Sequence, residues 1–366
     1  MNGLVCTACG EAFSLDEPRW RCTCGAPLDI SWQPTFDLDQ IARHKPTMWR
    51  YREAIPLASS HVISFEEGYT PLLEVEFGGV PVWIKQDHLF PSGSYKDRGA
   101  AVLISKVAEL GVKRVVEDSS GNAGAAIAAY CARAGIACAI YVPEATSPAK
   151  VAQIGRYGAE VHRVPGTRED TARAAFEAAQ TIYYASHSWN PFFFHGTKTF
   201  AYEVCEQLGW RAPDVVVLPV GNGTLLLGAA IGFRELHEAG VTTRVPRLVG
   251  VQAERCAPLY QAWQQGRDRP AAVGKQETIA EGIAIAEPIR GRQLIAAVRQ
   301  SGGEFLAVGE AEIEASLHAM WRRGFYIEPT AAATIAGLRR YLEQRDTHNM
   351  IVSTFSGHGL KSTAKP

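Results

Sequence analysis

The feature that most constrains the fold is a repeated order of strand, loop of small residues and helix between residues 114 and 252. Segments with the length and residue types of strands are 114–117, 137–142, 160–164, 215–220 and 248–252. Helices are expected after these strands, at 125–134, 148–157, 168–181 and 225–238. The run at 215–220 is apolar throughout, as in the middle of a parallel sheet. The pattern predicts an α/β protein with open, mostly parallel sheets flanked by helices.

A chain of 366 residues is long enough for two domains with separate cores. We expect the small domain to be inserted into the large one, after an N-terminal segment that resembles a zinc ribbon. The predicted parts are a ribbon-like segment at 1–32, a linker at 33–60, a large domain formed by 61–98 and 201–366, and a small domain at 99–200.

Composition excludes several classes of partner. The formal net charge is −1, so there is no electrostatic case for nucleic acid or for an anionic membrane surface. No apolar run has transmembrane length, and no secretory signal is visible at the N-terminus. We therefore predict a cytoplasmic protein. Four of the eight cysteines fit small reduced core residues, namely Cys131, Cys138, Cys205 and Cys256.

The other four cysteines form two pairs near the N-terminus, Cys6 with Cys9 and Cys22 with Cys24. A glycine follows each pair closely, which lets backbone N–H groups approach the sulfur atoms. This spacing predicts a zinc site, and four thiolates leave no open position, so its role would be structural. The alternative is four reduced cysteines that hold no metal.

A lysine in a turn-rich loop is the first candidate for chemistry. Lys96 follows Gly93 and Ser94 and precedes a helix predicted from about residue 100 to residue 110. At a helix N-terminus the helix dipole disfavours the ammonium form and favours the neutral amine that a Schiff base needs. The alternative is an ordinary solvated lysine.

Three further segments are expected at the carboxyl ends of strands, where open α/β sheets bind ligands. The loop 218–224, with Gly221 and Gly223 before a helix, is suited to bind a phosphate, or else is a plain tight turn. The loop 119–124 offers hydroxyls and N–H groups to a carboxylate or phenolate, or else only caps a helix. Ser356 follows the last predicted strand, where it could simply satisfy a backbone group.

Together these segments resemble the pyridoxal-phosphate enzymes of the tryptophan-synthase-β type, in particular the threonine synthases. Threonine synthases often begin with a cysteine ribbon and carry a motif like N-P-T-G-S-F-K-D-R-G, which is F-P-S-G-S-Y-K-D-R-G at 90–99 here. They also carry S-S-G-N, G-N-G and T-G-H-G-L-K, which correspond to 119–122, 221–223 and 356–361. The resemblance covers nearly the whole chain.

The resemblance implies a role for each matching residue. Lys96 would bind pyridoxal 5′-phosphate covalently and later transfer protons, Asn122 would bond the 3′ oxygen, and Ser356 would face the pyridine nitrogen. The cofactor phosphate would be held by the N–H groups of Gly221, Asn222, Gly223, Thr224 and Leu225. The substrate would be bound by Ser119 and Ser120 at its carboxylate and by Ser94, Thr167 and Asn190 near a phosphate leaving group.

The implied activity is a lyase that converts O-phospho-L-homoserine and water to L-threonine and phosphate, acting as a homodimer. Three positions depart from the family pattern: Phe90 replaces an asparagine, Ser92 a threonine and Ser356 a threonine, and the last change keeps the hydroxyl. Relatives on the same scaffold leave open a threonine or serine dehydratase and a β-replacement enzyme that joins phosphoserine to sulfite or a thiol. A third reading is a binding protein without catalysis, against which the intact Lys96 and Asn122 argue.

Overall fold

The computed structural model describes residues 2–271, 273–274, 276–344 and 349–362. The chain divides into two compact units, one formed by Met1–Gly68 with Lys96–Thr197 and the other by Tyr69–Tyr95 with Lys198–Pro366. Within the described ranges, no helix combines the length and apolar character that crossing a membrane would require.

Strands and helices follow one another along the chain much as the alternation predicts. The strands are β1 Gly3–Cys6, β2 Ala12–Phe13, β3 Leu28–Ser31, β4 Leu72–Phe77, β5 Val80–Lys85, β6 Arg114–Glu117, β7 Ala137–Pro143, β8 Glu160–Val164, β9 Tyr183–Tyr184, β10 Val215–Pro219, β11 Arg247–Ala253, β12 Glu304–Val308 and β13 Ile351–Thr354. The α-helices are α1 Leu38–Arg43, α2 Lys96–Glu109, α3 Asn122–Ala134, α4 Pro148–Arg156, α5 Arg168–Ala178, α6 Pro191–Thr197, α7 Thr199–Gln207, α8 Thr224–Glu238, α9 Pro258–Gln264, α10 Gly291–Gln300, α11 Glu310–Arg322 and α12 Pro329–Gln344.

The first unit contains a parallel four-stranded sheet in the order β8-β7-β6-β9. Helices α2 and α3 are buried over most of their length because alanine and branched aliphatic residues occupy most of their faces. Strands β6 and β9 are parallel neighbours, with Val115 opposite Tyr183. The loops that follow these two strands therefore leave the sheet at the same edge.

The N-terminal segment is a small antiparallel sheet in the order β2-β1-β3, within the first unit. Its buried residues Leu4, Trp20 and Leu28 belong to the same hydrophobic core as α2 and α3. Trp20 packs edge-on against Tyr184, with ring centroids 5.0 Å apart. Residues 33–60, predicted as a linker, contain α1 and a 3₁₀ helix at Met48–Ala54 and lie in this unit as well.

The second unit contains a six-stranded sheet in the order β12-β11-β10-β13-β5-β4. All neighbours are parallel except β4, which pairs antiparallel with β5 at one edge. Strand β13 lies between β10 and β5, so the segments that follow these three strands leave the sheet at one edge. Those segments are the loop 221–223, the serine at 356 and the chain that leads to the lysine.

The observed elements confirm the predicted fold class and correct several boundaries. Helix α2 begins at Lys96 rather than near residue 100, so the lysine is its first residue. Helices α6 and α7 were not predicted, because the aromatic run Phe192–Phe194 is buried on all faces and shows no helical period.

Candidate active site

The predicted nucleophile Lys96 is the first residue of α2, which places its amine at a helix N-terminus. Helix α6 lies close against this first turn because two glycines leave room. A Cβ atom on Gly99 would lie 2.3 Å from the ring of Phe193, and one on Gly196 would lie 2.0 Å from the carbonyl oxygen of Arg98. The close approach fixes the start of α2 and hence the backbone of the lysine.

The loop between β6 and α3 carries the residues predicted to bind the substrate carboxylate. Asn122 is the first residue of α3, and Ser119 and Ser120 are half-buried just before it. The Ser119 hydroxyl accepts a hydrogen bond from the N–H of Gly121, at 3.3 Å. Gly124 is required by packing, since a Cβ there would lie 1.9 Å from the Ser119 carbonyl oxygen. The first-turn N–H groups of α3 have no acceptors inside the helix and can bind an anion.

A buried pair of a glutamate and a histidine, which the sequence did not reveal, lies directly before this loop. Glu117, the last residue of β6, accepts bonds from the ring Nδ1 of His187 at 2.7 Å and from the backbone N–H of His187 at 3.2 Å. Burial raises the pKa of the Glu117 carboxyl, while His187 acts in the opposite direction. The pair joins β6 to the segment after β9, across 70 residues of sequence, so no local pattern could have indicated it.

Asp118, the residue after Glu117, bonds two other side chains of the first unit. Its carboxylate accepts a hydrogen bond from the Tyr184 hydroxyl at 2.8 Å. It also forms an ion pair with the Arg168 guanidinium at 2.6 Å. Burial, followed by the charge of Asp118, raises the pKa of Tyr184 well above its usual value. The base of the 119–122 loop is therefore anchored to β9 and to the start of α5.

Two residues predicted to contact a phosphate leaving group have local bonds in the structure. Thr167 is the N-cap of α5 and forms a reciprocal capping box with Asp170. Asn190 is fully buried, and its Nδ2 donates to the Tyr183 hydroxyl at 2.8 Å while its Oδ1 accepts from the N–H of Phe192 at 3.2 Å. Substrate contacts by these two residues remain predictions.

In the second unit, the predicted phosphate loop joins β10 to α8. Gly223 is the N-cap of α8 and has φ +71°, a left-handed conformation that favours glycine. A Cβ at Gly223 would lie 2.2 Å from the Leu294 side chain, and one at Gly221 would lie 2.9 Å from the Cα of Ile283. Gln252 supports the base of the loop by donating to the carbonyl of Val220 at 3.1 Å. The loop is thus held on both sides, with its helix N-terminus available to an anion.

Two buried serine hydroxyls of the second unit have no hydrogen-bond partner among the described residues, those of Ser94 and Ser356. Ser94 is fully buried, and Ser356 is 1% exposed. The backbones of the two segments are paired, with a bridge between Ser94 and Gly357. A buried hydroxyl without a hydrogen bond costs free energy. We therefore expect the hydroxyls of Ser94 and Ser356 to bond a group outside the described residues.

The four predicted metal ligands lie together in the first unit. The sulfur atoms of Cys6, Cys9, Cys22 and Cys24 are all within 4.8 Å of one another. The N–H groups of Ala8 and Cys9 each point to the sulfur of Cys6 at 3.4 Å. Burial acts to raise the pKa of the Cys6 thiol, but these N–H donors prevail and lower it to about 6.

These observations fit pyridoxal phosphate. A lysine amine at a helix N-terminus can form the covalent bond, and a glycine loop that tolerates no side chain suits the phosphate. The buried Ser356 hydroxyl, which lacks a partner among the described residues, is suited to a ring nitrogen. The described residues therefore offer three kinds of group that we expect to bind this cofactor: one amine, one phosphate loop and one neutral hydroxyl.

Known proteins agree with this assignment. A family model described as pyridoxal-phosphate dependent enzyme matches residues 63–357. The chain is 36% identical to the threonine synthase of Methanocaldococcus jannaschii, over 97% of this chain and 92% of that protein. It is 35% identical to the threonine synthase of a Synechocystis species, over 90% of this chain and 86% of that protein.

Solved structures share the fold at lower identity. The serine racemase of Dictyostelium discoideum superposes with a TM-score of 0.69 at 24% identity, over 82% of this chain and 94% of that one. The processed form of threonine deaminase isoform 2 from Solanum lycopersicum superposes with a TM-score of 0.70 at 22% identity, over 89% of this chain and 86% of that one. The length and identity of the sequence matches lead to one conclusion: the chain belongs to the pyridoxal-phosphate dependent enzyme family and is a lyase of that family.

Proposed function

We propose that this chain is a threonine synthase, which converts O-phospho-L-homoserine and water to L-threonine and phosphate. The observation that carries the proposal is the 36% identity to a threonine synthase over 97% of the chain. The racemase and deaminase structures resemble the chain at 24% and 22% identity and support only the fold.

The cofactor would be held by several residues, each acting on a different part of it. Lys96 would bind it covalently, Asn122 would donate to its 3′ oxygen, and Ser356 would face the pyridine nitrogen. The phosphate would be bound by the N–H groups of Gly221, Asn222, Gly223, Thr224 and Leu225. When bound, the cofactor withdraws electrons from the substrate, which makes its Cα and Cβ protons acidic.

A neutral hydroxyl at Ser356 fits this reaction better than a carboxylate would. A carboxylate beside a ring nitrogen favours the protonated ring, whereas a serine leaves the nitrogen free to be neutral. A neutral ring withdraws electrons less strongly, which suits elimination and replacement rather than transamination. The Ser356 hydroxyl is buried and has no partner among the described residues, as this role requires.

Serine hydroxyls would orient the substrate, and the amine of Lys96 would transfer its protons. Ser119 and Ser120 bind the carboxylate at the start of α3, and Ser94 contacts the phosphate that leaves from Cγ. Lys96 would remove protons from Cα and then Cβ as phosphate leaves from Cγ. A proton returned to Cγ forms the methyl group, water adds its hydroxyl to Cβ, and a proton returned to Cα completes threonine. Contacts of Thr167 and Asn190 with the leaving phosphate would require both to exchange their local hydrogen bonds.

Product analysis of the purified holoenzyme tests the proposal. O-phosphohomoserine should give threonine and phosphate in equal amounts, and Lys96→Ala should give neither. Threonine, serine and phosphoserine with sulfite are supplied in parallel. Formation of 2-oxobutyrate or pyruvate, or of a sulfonated amino acid, without threonine from O-phosphohomoserine would contradict it and favour a dehydratase or a β-replacement enzyme.

We also propose that the four cysteines bind one structural zinc ion, and that the enzyme is a cytoplasmic homodimer. The zinc proposal is supported by the four sulfur atoms within 4.8 Å of one another and by the N–H groups directed at Cys6. Metal analysis of purified protein should give one zinc per chain, and Cys6→Ser with Cys9→Ser should give none. Sedimentation analysis of the same sample reports the oligomeric state.

A further inference from the structure

A buried tryptophan of the ribbon-like segment makes contacts that the proposed function does not use. Trp20 is 7% exposed and belongs to the hydrophobic core of the first unit. Its ring centroid lies 5.0 Å from that of Tyr184 and 5.2 Å from that of Phe176, edge-on to both. Aromatic rings prefer this arrangement, so each contact favours one relative orientation of the two rings. Trp20 therefore packs against β9, which contains Tyr184, and against α5, which contains Phe176.

The same two elements supply the partners of Asp118. Tyr184 of β9 donates to one carboxylate oxygen at 2.8 Å, and Arg168 of α5 forms an ion pair with the other at 2.6 Å. Burial raises the pKa of Tyr184 well above its usual value, so its hydroxyl stays protonated and can donate. Asp118 is buried, and a buried carboxylate is costly unless groups such as these pair with it. Its position is therefore determined by β9 and α5.

Asp118 is also the residue before the loop 119–122, which we assign to the substrate carboxylate. The nearest described atom to an added Cβ at Gly121 is the Ser119 hydroxyl oxygen, 3.9 Å away, so the middle of the loop has room. At its other end the loop joins α3, where Gly124 lies close to the Ser119 carbonyl oxygen. A loop with few close contacts in its middle takes its position from its two ends. We therefore expect the bonds of Asp118 to determine where the serine hydroxyls lie.

We propose that Trp20 is a positioning residue for substrate binding: its contacts with β9 and α5 hold Asp118, and thereby the serines of the loop 119–122. The inference rests on the proposed assignment of Ser119 and Ser120 to the substrate carboxylate. It gives the ribbon-like segment a role in substrate affinity, in addition to holding a metal ion.

Hydrogen–deuterium exchange of the purified holoenzyme tests the contact without using the reaction. Trp20→Leu removes the indole ring and keeps an apolar side chain. Tyr184→Phe keeps the ring that faces Trp20 but removes the bond to Asp118. In both variants the amides of residues 119–124 should exchange about fivefold faster, while those of β10 and β11 keep the wild-type rate. Unchanged exchange at 119–124 in either variant, or an equal rise throughout the chain, would overturn the role of Trp20.

Steady-state kinetics measure the effect on the substrate. Trp20→Leu and Tyr184→Phe should each raise KM for O-phosphohomoserine about fivefold, as for the loss of one ring contact or one hydrogen bond. The value of kcat and the affinity for pyridoxal phosphate should stay within about twofold of wild type. In an Asp118→Ala background, Trp20→Leu should change KM by less than about twofold, because both changes act through one carboxylate. Losses that multiply, or a fall in kcat without a rise in KM, would contradict the inference.

Two matched control variants separate this role from a general loss of stability. Phe13→Leu changes another aromatic ring of the ribbon-like segment, one that packs against the guanidinium of Arg19. Tyr157→Phe removes a tyrosine hydroxyl that accepts a bond from Gln153 in the same unit. Both should leave KM and the exchange at 119–124 at wild-type values, and a rise as large as that of Trp20→Leu in either control would overturn the specific role of the tryptophan.

A conservative variant provides the rescue. Trp20→Phe keeps an aromatic ring and should bring exchange and KM to within about twofold of wild type. Values as poor as those of Trp20→Leu would count against the ring contacts. If Trp20→Leu does not fold, Trp20→Phe and Tyr184→Phe carry the test with the same expected values.

The outcomes separate this inference from the function on which it rests. If the wild-type enzyme forms no threonine from O-phosphohomoserine, the proposed function fails, and exchange at 119–124 still decides whether Trp20 holds the loop. If exchange rises in Trp20→Leu but KM stays at the wild-type value, the loop does not bind the substrate and the inference is wrong.

Discussion

Two loops of this enzyme have the same plan, a strand followed by small residues and a helix, but differ in how tightly they are held. In the loop 221–223, added Cβ atoms at Gly221 and Gly223 would collide with neighbours at 2.9 and 2.2 Å. In the loop 119–122, an added Cβ at Gly121 would have only the Ser119 hydroxyl nearby, at 3.9 Å. The comparison teaches that the loop 221–223, to which we assign the cofactor phosphate, has less room for added atoms than the loop 119–122, to which we assign the substrate carboxylate.

The largest expected effect comes from Gly223→Ala. Alanine is strained at φ +71°, by about 1–2 kcal/mol, and its Cβ would meet Leu294 at 2.2 Å. We expect affinity for pyridoxal phosphate to fall about a hundredfold, with a smaller change for pyridoxal. Titration of the cofactor-free variant measures both, and an unchanged preference for the phosphorylated form would refute the rigidity of this loop.

Gly124→Ala should give the next largest effect, because Gly124 lies in the first turn of α3, where the loop 119–122 packs closely against the helix. Its Cβ would lie 1.9 Å from the Ser119 carbonyl oxygen, which forces the loop away from α3. We expect the free energy of unfolding to fall by about 2 kcal/mol and KM for the substrate to rise about tenfold. The preference for pyridoxal phosphate over pyridoxal should stay at the wild-type value, and a fall in that ratio would show that the two loops are not independent.

Ser119→Ala is expected to act on the substrate alone. It removes a hydroxyl that accepts from the N–H of Gly121 and that we assign to the substrate carboxylate. KM should rise about fivefold with cofactor affinity unchanged, as for the loss of one typical hydrogen bond of about 1 kcal/mol. Steady-state kinetics with a fixed excess of cofactor measure KM. An unchanged KM would remove Ser119 from the proposed substrate site.

Gly121→Ala should have the smallest effect, since φ there is −105° and the nearest atom to an added Cβ is 3.9 Å away. We expect stability to change by less than about 0.5 kcal/mol and cofactor affinity by less than about twofold. Thermal unfolding and the same titration measure these quantities. A loss of cofactor affinity as large as that of Gly223→Ala would contradict the proposed difference in rigidity between the two loops.

The sequence indicates the strands of this enzyme better than the contacts between its helices. The bounds predicted for β6 and β8 agree with the structure, because turn-forming or charged residues mark the ends of both strands. The start of α2 was placed too late because Gly99 resembles part of the turn. Its real role is to admit the ring of Phe193, a contact between residues 94 positions apart that no local pattern encodes.

The same limit applies to the site. Lys96, the 221–225 loop and Ser356 could be predicted as site residues because each stands in a short stretch with its own chemistry, and their roles stay predictions. The pair of Glu117 with His187 and the bond of Tyr95 to Thr224 join residues 70 and 129 positions apart, and only the folded chain brings them together. Thr167 was predicted to bind substrate although the capping box with Asp170 explains its position.

The most direct test of the central claim is the reaction of O-phosphohomoserine in water enriched in ¹⁸O. If phosphate leaves from Cγ with its bridging oxygen and water then adds at Cβ, mass spectrometry should find ¹⁸O in the hydroxyl of threonine and none in the phosphate. Appearance of ¹⁸O in the phosphate together with unlabelled homoserine would show simple hydrolysis of the ester and would contradict the account.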